Sequence, residues 1–523
     1  MAERKAYPAD AILLGPRRMA EADARTIALG TPGIVLMERA GRAIVRAITA
    51  RFPPTPTLVL CGPGNNGGDG WVVARRLETL GWPVRVASLV DPGRLRGDAA
   101  AAFVRRSGPW SAALPDELDA GWLVVDALFG AGLDRPLDGT ARAWVERVAG
   151  LGGPVVAVDV PSGVDGASGA VLGAAAPAVL TVTFARPKPG HFLLPGRALV
   201  GELVVADIGI PDSVVAEVDE GIRRNDPSWW GPLLPRRDAA AHKYRFGHAV
   251  VVGGPPHATG ATRLAARAAL RVGAGLVSVA ATPDALPVYA AALTAVMTKP
   301  CGDPAALDRL LADSRLNAWL IGPGAGVGEA TRVAVRQLAR SGRPLVLDAD
   351  ALTSFAGERS ALLEVLHGGC VLTPHDGEYA RIFPHAGDRL ARARAAAAEC
   401  GAVVLLKGAD TVVAAPDGRA TILADAPPAL ATAGTGDVLA GTILGLLAQG
   451  LPAFEAAAAG AWLHARAGAL AGPGLIAEDL PDRLPAALAE AHGETGAVSP
   501  AARPAPGAGH LAQAGFKGRF LSG

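Results

Sequence analysis

Ala433-Gly434-Thr435-Gly436-Asp437-Val438-Leu439-Ala440-Gly441 is a glycine loop running straight into a helix, expected to start near Asp437. The free backbone N–H groups at such a start form an anion site, reinforced by the helix dipole. The glycines let a phosphate approach the backbone without meeting a Cβ. Asp437 stands where that phosphate would sit, and a carboxylate beside a phosphate is electrostatically unfavourable. It serves a purpose there if it takes the proton from a hydroxyl that attacks the phosphate. The competing reading is a capped helix and nothing more, because Thr and Asp are ordinary N-cap residues.

Three stretches precede this loop in order: Asp348-Ala349-Asp350-Ala351-Leu352, Leu372-Thr373-Pro374-His375-Asp376-Gly377-Glu378, and Leu405-Leu406-Lys407-Gly408-Ala409-Asp410-Thr411. Each follows a short apolar run, such as Pro344-Leu345-Val346-Leu347 or Val403-Val404-Leu405-Leu406. Each is therefore expected at the C-terminal end of a buried parallel strand, where open α/β sheets bind ligands. Lys407 would meet nucleotide phosphates as a point charge. Taken in order, these motifs resemble the ribokinase-like ADP/ATP-dependent NAD(P)H-hydrate dehydratase family over about half the chain. The resemblance implies that Ala261, Gly324, His375 and Asp437 surround the hydrated substrate, with Asp437 as base. It implies that Lys407, Gly408, Ala409, Asp410, Thr411 and Gly436 bind ADP, with Mg2+ in the same site.

At 523 residues the chain is long for one domain. Half its residues are hydrophobic, 19% are charged, and the net charge is +1, which suits an enzyme with a large core. The basic field of a nucleic-acid binder is missing, and 5% aromatics disfavours base-stacking platforms. Cys61, Cys301, Cys370 and Cys400 show no CxxC spacing, so reduced thiols in a cytoplasmic protein are expected. Met1 to Asp10 has no apolar core of a signal peptide. The longest uncharged stretch, Gly166 to Ala185, contains Pro177 and several glycines and fails as a membrane span.

In the first half, Met19 to Ala50 is expected to be helical. The strand Thr57 to Cys61 leads into Gly62-Pro63-Gly64-Asn65-Asn66-Gly67-Gly68-Asp69-Gly70, followed by a helix from Trp71 to Leu80. Strand, glycine loop and helix form the first unit of a Rossmann-like fold. The loop is neither GxGxxG nor followed by a Walker lysine; its Asn and Asp residues place oxygens and amides where a pyrophosphate or a hard cation would sit. Further strands end at Asp126-Ala127-Leu128-Phe129-Gly130-Ala131-Gly132-Leu133-Asp134-Arg135-Pro136 and at Asp159-Val160-Pro161-Ser162-Gly163. One aspartate at a strand end is usually a turn residue; three strand ends delivering a carboxylate or an amide to one edge suggest a site.

Together with Leu36-Met37-Glu38-Arg39-Ala40-Gly41, Phe184 to Gly190 (with Lys188) and Asp207-Ile208-Gly209-Ile210-Pro211, these motifs resemble the NAD(P)H-hydrate epimerase family over roughly residues 10 to 215. The resemblance implies that Asn65, Asn66, Gly67, Gly68, Asp69 and Gly130, Ala131, Gly132, Leu133, Asp134, Arg135, Pro136 hold substrate. It implies that Asp159 contacts substrate and handles the proton, and that Asn66, Asp126 and Ser162 carry a potassium ion. Hard oxygen ligands suit such an ion.

Pro211 to Asp238 has no clear period and reads as an interdomain linker. His464, alone on a helix with Gly460 and Gly468, reads as structural. Pro500 to Gly523, rich in Ala, Gly and Pro, reads as a disordered tail. The expected organisation is an epimerase domain over 1–225, a dehydratase domain over 226–495, and a tail over 496–523. The two resemblances together describe a bifunctional enzyme repairing NADHX and NADPHX at the expense of ADP. It is expected to be a cytoplasmic homo-oligomer with no nucleic-acid or membrane partner. A small-alcohol kinase with a cofactor-binding first domain is the alternative, and a non-catalytic binding scaffold is a second rival.

Overall fold

The computed structural model describes residues 11–236 and 242–493. The reading of Met1 to Asp10 and the expected tail lie outside these residues. No helix among them is long and apolar enough to cross a membrane.

The first sheet is all parallel and contains β2 (Thr57–Cys61), β3 (Val84–Ser88), β4 (Leu123–Ala127), β5 (Val155–Val158), β6 (Leu180–Phe184) and β7 (Glu202–Ala206), in the order β3-β2-β4-β5-β6-β7. Strands β2, β4, β5 and β6 are buried along their whole length, and the edge strands β3 and β7 carry the exposed residues. Buried runs of this kind need helices on both faces. Strand order reverses between β2 and β4, so the crevice beyond their C-terminal ends is a topological switch point. Asn65 to Asp69 follow β2 at that crevice and Asp126 lies at the end of β4 beside it, with Asp159 one strand further along.

The expected glycine loop is largely helical. The helix starts at Asn65 and runs to Thr79, so Asn65 to Gly70 form its first turns. The glycines serve close packing: a Cβ on Gly67 would overlap the Gly62 backbone, one on Gly68 would overlap Met37, and one on Gly70 would sit 2.8 Å from the Ala127 Cβ.

The second sheet has eleven strands. In order they are β1 (Ile12–Leu13), β8 (Ile222–Arg224), β17 (Ala420–Leu423), β16 (Thr411–Ala414), β15 (Val403–Leu406), β14 (Cys370–Leu372), β13 (Leu345–Leu347), β12 (Ala318–Ile321), β9 (His248–Val252), β10 (Leu276–Ala281) and β11 (Met297–Pro300). From β11 to β15 the pairing is parallel; β16 pairs antiparallel with both β15 and β17. Here the order reverses at β9, between β10 and β12.

The expected linker is ordered. It holds a helix over Asp212–Val218 with Val214, Val215 and Val218 buried, and then β8, which pairs with β17. Trp229 and Trp230 close the segment: Trp229 stacks on Phe454, and Trp230 meets Trp462 edge-on. Burial of these apolar groups fixes the segment despite its mixed charges. Both β1 and β8 precede residue 226 and still belong to the second sheet.

Candidate active sites

In the N-terminal crevice Asp159 is the hub. Its backbone φ is +66°, an uncommon conformation for a residue with a side chain. One carboxylate oxygen takes the Lys188 ammonium at 2.5 Å and the Thr183 hydroxyl at 2.9 Å, and the other accepts from Ala131 N at 2.9 Å. Burial would raise its pKa, but the Lys188 charge and these hydrogen bonds prevail and hold it at about 2. The Lys188 side chain is 2% exposed. His191 accepts from Lys188 N through Nδ1, which leaves Nε2–H to donate to Asp159 O at 2.8 Å. Burial and the Lys188 charge push that ring down to about 4, so it is neutral near pH 7. A Cβ on Gly130 would meet both the Asn66 side-chain amide and Asp159 Oδ2 at 3.0 Å, which places Asn66, Gly130 and Asp159 around one point. Gly132, Asp134, Arg135 and Pro136 are exposed on the loop above it, with Leu133 half-buried.

Asp126 and Ser162 are brought together, with Ser162 Oγ donating to Asp126 Oδ1 at 2.6 Å and Ser162 N to Oδ2 at 2.8 Å. Asp126 is buried, and its pKa is raised by burial, with hydrogen bonds from Ser162 and Leu128 opposing. No salt bridge to it exists among the described residues. Asp126 is thus a buried carboxylate held by a hydroxyl and two backbone N–H groups, with no cationic partner among the described residues.

In the second sheet the site is assembled at the C-terminal strand ends. Helix Thr435–Ala448 starts two residues before Asp437, and its N-cap is Gly434 at φ +86°. Asp437 is therefore inside the first turn, and its carboxylate makes no hydrogen bond to any described residue. This removes the capping role open to it in the sequence. Burial first, then the Asp348 charge, push the Asp437 carboxyl up to about 7 against the pull of Lys407. Lys407 Nζ lies 2.7 Å from Asp348 Oδ1 and 3.8 Å from Glu378 Oε2, and a Cβ on Gly436 would stand 3.5 Å from it. Burial opposes its charge, but Asp348, Glu378 and Asp437 together raise its pKa.

Gly324 and Ala261 flank the switch point. The Gly322–Gly326 turn abuts Gly254 backbone-to-backbone, Gly326 N donates to Asp350 at 2.9 Å, and Thr262 Oγ1 donates to Pro323 O at 3.0 Å. His375 is exposed and caps the Asp376–Ile382 helix, its Nδ1 accepting from Gly377 N at 2.9 Å. Of the expected ADP stretch, Lys407 sits beneath Gly436, whereas Asp410 is turned away. The Asp410 carboxylate takes Leu194 N at 2.9 Å and Arg389 Nε at 3.0 Å. Gly408 N and O both bond the Thr411 hydroxyl, and Ala409 O accepts from Arg197 at 2.8 Å.

The motifs contained site groups to which the sequence assigned no role, Lys188 in the first site and Asp348 and Glu378 in the second, while Thr183 and His191 flank the Phe184–Gly190 motif on either side. Their signal was position at strand ends, already used for their neighbours. His464 is buried near Thr435 of the central loop, and burial pushes its pKa down to about 4.

Residues 249–488 match the family described as NAD(P)H-hydrate dehydratase, and residues 33–190 match the YjeF-related protein N-terminus. The bifunctional NAD(P)H-hydrate repair enzyme Nnr of Moorella thermoacetica is 41% identical over 87% of this chain and 92% of its own length. Its namesake from Salinibacter ruber is 41% identical over 91% of this chain and 96% of its own. Among solved structures, the ADP/ATP-dependent NAD(P)H-hydrate dehydratase from Bacillus subtilis, co-crystallised with ATP and Mg2+, is 29% identical with a TM-score of 0.46, covering 51% of this chain and 98% of that one. Both halves are thus accounted for by one kind of relative, which sets aside the small-alcohol kinase and the scaffold. The chain belongs to the family of bifunctional NAD(P)H-hydrate repair enzymes.

Proposed function

We propose that this chain repairs hydrated NADH and NADPH in two steps. Residues 1–225 interconvert the R and S hydrates. Residues 226–495 phosphorylate the hydroxyl of the S hydrate from ADP and let phosphate leave, which restores the ring double bond. The observation that carries the second step is the juxtaposition of Asp437, poised to accept a proton near neutral pH, with the Gly434–Gly436 N–H cradle and Lys407. Asp437 takes the proton of the attacking hydroxyl, Lys407 and Gly436 hold the ADP phosphates, and Ala261, Gly324 and His375 surround the hydrate.

Two ions accompany this reading. Asn66, Asp126 and Ser162 hold K+, which neutralises the buried Asp126 and orients the Gly130 loop. The described residues contain no group of three His, Cys, Asp or Glu side chains that could hold a metal ion. Mg2+ therefore arrives on the nucleotide phosphates, which it neutralises, and the protein supplies no preformed cage. A cytoplasmic homo-oligomer completes the reading, and four free cysteines, three of them buried, fit its cytoplasmic part.

The test is a mixture of R and S NADHX with ADP, followed at the NADH absorbance band. The full chain should convert the whole mixture, and Asp159→Asn should stop at the S fraction. Loss of S-hydrate dehydration in Asp159→Asn as well would mean that the substitution unfolds the protein. No conversion by the wild type would refute the reading.

A further inference from the structure

We propose that Asp23, on the Pro16–Ala28 helix, is the proton donor of the epimerase site, acting opposite Asp159. The assignment rests on the epimerase reading above. Nothing in the motifs points to Asp23, and it precedes the matched residues 33–190.

The fold brings it there. Leu14 N donates to Pro187 O at 3.1 Å, which pins the start of the helix beside the segment carrying Lys188. Pro16 lies where a Cβ on Gly166 would meet its ring at 3.0 Å, and that same Cβ would press on Ala131, whose N–H holds Asp159. Asp23 is seven residues, two turns, beyond Pro16 and shares its face. Met19, Ala22 and Thr26 on the inward side are buried, while Glu21 and Arg25 pair with each other in solvent, and Arg25 reaches Glu217. The charged groups that Asp23 faces are Lys188 and Asp159, and Asp69 feels both aspartates. Lys188 donates to Asp159 and Thr183 and makes no hydrogen bond to Asp23 among the described residues, so it acts on Asp23 through its charge alone. The result is two carboxylates, Asp23 and Asp159, sharing one lysine, with a third, Asp69, close to both.

Epimerisation needs a donor that Asp159 cannot be. With its pKa held at about 2, it is ionised at neutral pH and can only accept. Asp23 is the complementary partner: burial and the nearby Asp159 charge raise it to about 6 against the pull of Lys188. Two carboxyl groups whose surroundings separate their pKa values divide into acid and base. Half-burial leaves Asp23 open to recharging from solvent.

The step balances. Asp23 gives its proton to the hydroxyl on C6 of the hydrate. The C6–O bond breaks with its electron pair leaving as water, and the N1 lone pair forms the N1=C6 double bond. Water then adds to the opposite face of C6, the double-bond pair returns to N1, and Asp159 takes the released proton. One proton is given, one is taken, and no electrons are exchanged with a co-reactant.

The experiment uses the full chain and R-NADHX in isotopically labelled water. Readouts are R-to-S conversion, label uptake at the C6 hydroxyl, and S-hydrate dehydration with ADP as the check on folding. Asp23→Asn should lower conversion and label uptake together by roughly 100-fold and leave dehydration unchanged. Wild-type kcat/KM for epimerisation should fall as pH rises through about 6, where Asp23 loses its proton. That fall should vanish in Asp23→Asn and return, with most of the rate, in Asp23→Glu. Wild-type conversion by Asp23→Asn, persistence of the pH limb, or transfer of the limb to Asp69→Asn would each overturn the assignment. A wild type that dehydrates the S hydrate but never epimerises the R hydrate overturns the reading beneath it as well.

Discussion

Asp437, the proposed base, illustrates how a single carboxylate can oppose stability. Its folded pKa of about 7 lies above the unfolded value of 3.8, so between those values the folded state binds more protons, and stability falls as pH rises. Three pKa units correspond to at most about 4 kcal/mol, which solvent at this half-buried group reduces to about 1–2 kcal/mol. Asp437→Asn should therefore melt above the wild type at about pH 8 and level with it at about pH 4. Dehydration should fall roughly 100- to 10,000-fold with ADP affinity retained by calorimetry. Near-normal turnover would end the case for a catalytic aspartate. Asp126 poses the complementary problem, a buried carboxylate with no cationic side chain against it. Added K+ should raise the melting temperature of the wild type and not that of Asp126→Asn, and EDTA should leave epimerisation unchanged; strict dependence on zinc would refute the oxygen-donor site. Backbone strain points to the same places. Of the three non-glycine residues at positive φ among the described residues, Asp159 is the epimerase hub and Ala349 sits between Asp348 and Asp350.

At the scale of elements, helix Thr435–Ala448 delivers Asp437 by packing closely on helix Gly260–Arg271, which carries Ala261. Gly441 and Gly445 make the approach, since a Cβ at either would overlap Ala265 or Val272. Gly441→Val should cost about 1–3 kcal/mol or more and abolish dehydration while R-to-S conversion persists in the N-terminal half; an unchanged melting temperature would show that the helices can separate freely. These helices also show what the sequence could tell. The parallel strands were legible because fully buried strands read as unbroken apolar runs, and the carboxylates at their ends came with them. The first helix turns at Asn65–Gly70 were not, because three glycines in six residues signal a loop unless the groups they must pack against are known. Nor was the order in 211–224, where a strand of three residues, Ile222–Arg224, carries no periodicity and exists only because β17 offers it an edge. Asp23 was hidden for the same reason: a polar residue on an amphipathic helix is ordinary until the fold shows what it faces.

At the scale of the molecule, the two halves are joined more deeply than a linker would allow. The segment that carries Lys188 and His191 continues to Leu194 and Arg197, which bond Asp410 and Ala409 on the segment that carries Lys407. The second sheet ends in β8 and β1, both supplied from before residue 226. A dehydratase fragment cut at the expected boundary, 226–493, would lose both strands and expose the whole edge of β17, Ala420 to Leu423, all of it buried in the intact chain. An unpaired apolar edge is a template for association with other chains. That fragment should aggregate or melt well below the full chain, whereas one starting at 219 restores β8 and should recover most of the difference. Light scattering and thermal melts on the two fragments decide the matter. If 226–493 is monomeric and as stable as 219–493, β8 contributes nothing to the second sheet, and the boundary at 225/226 separates two independent folding units.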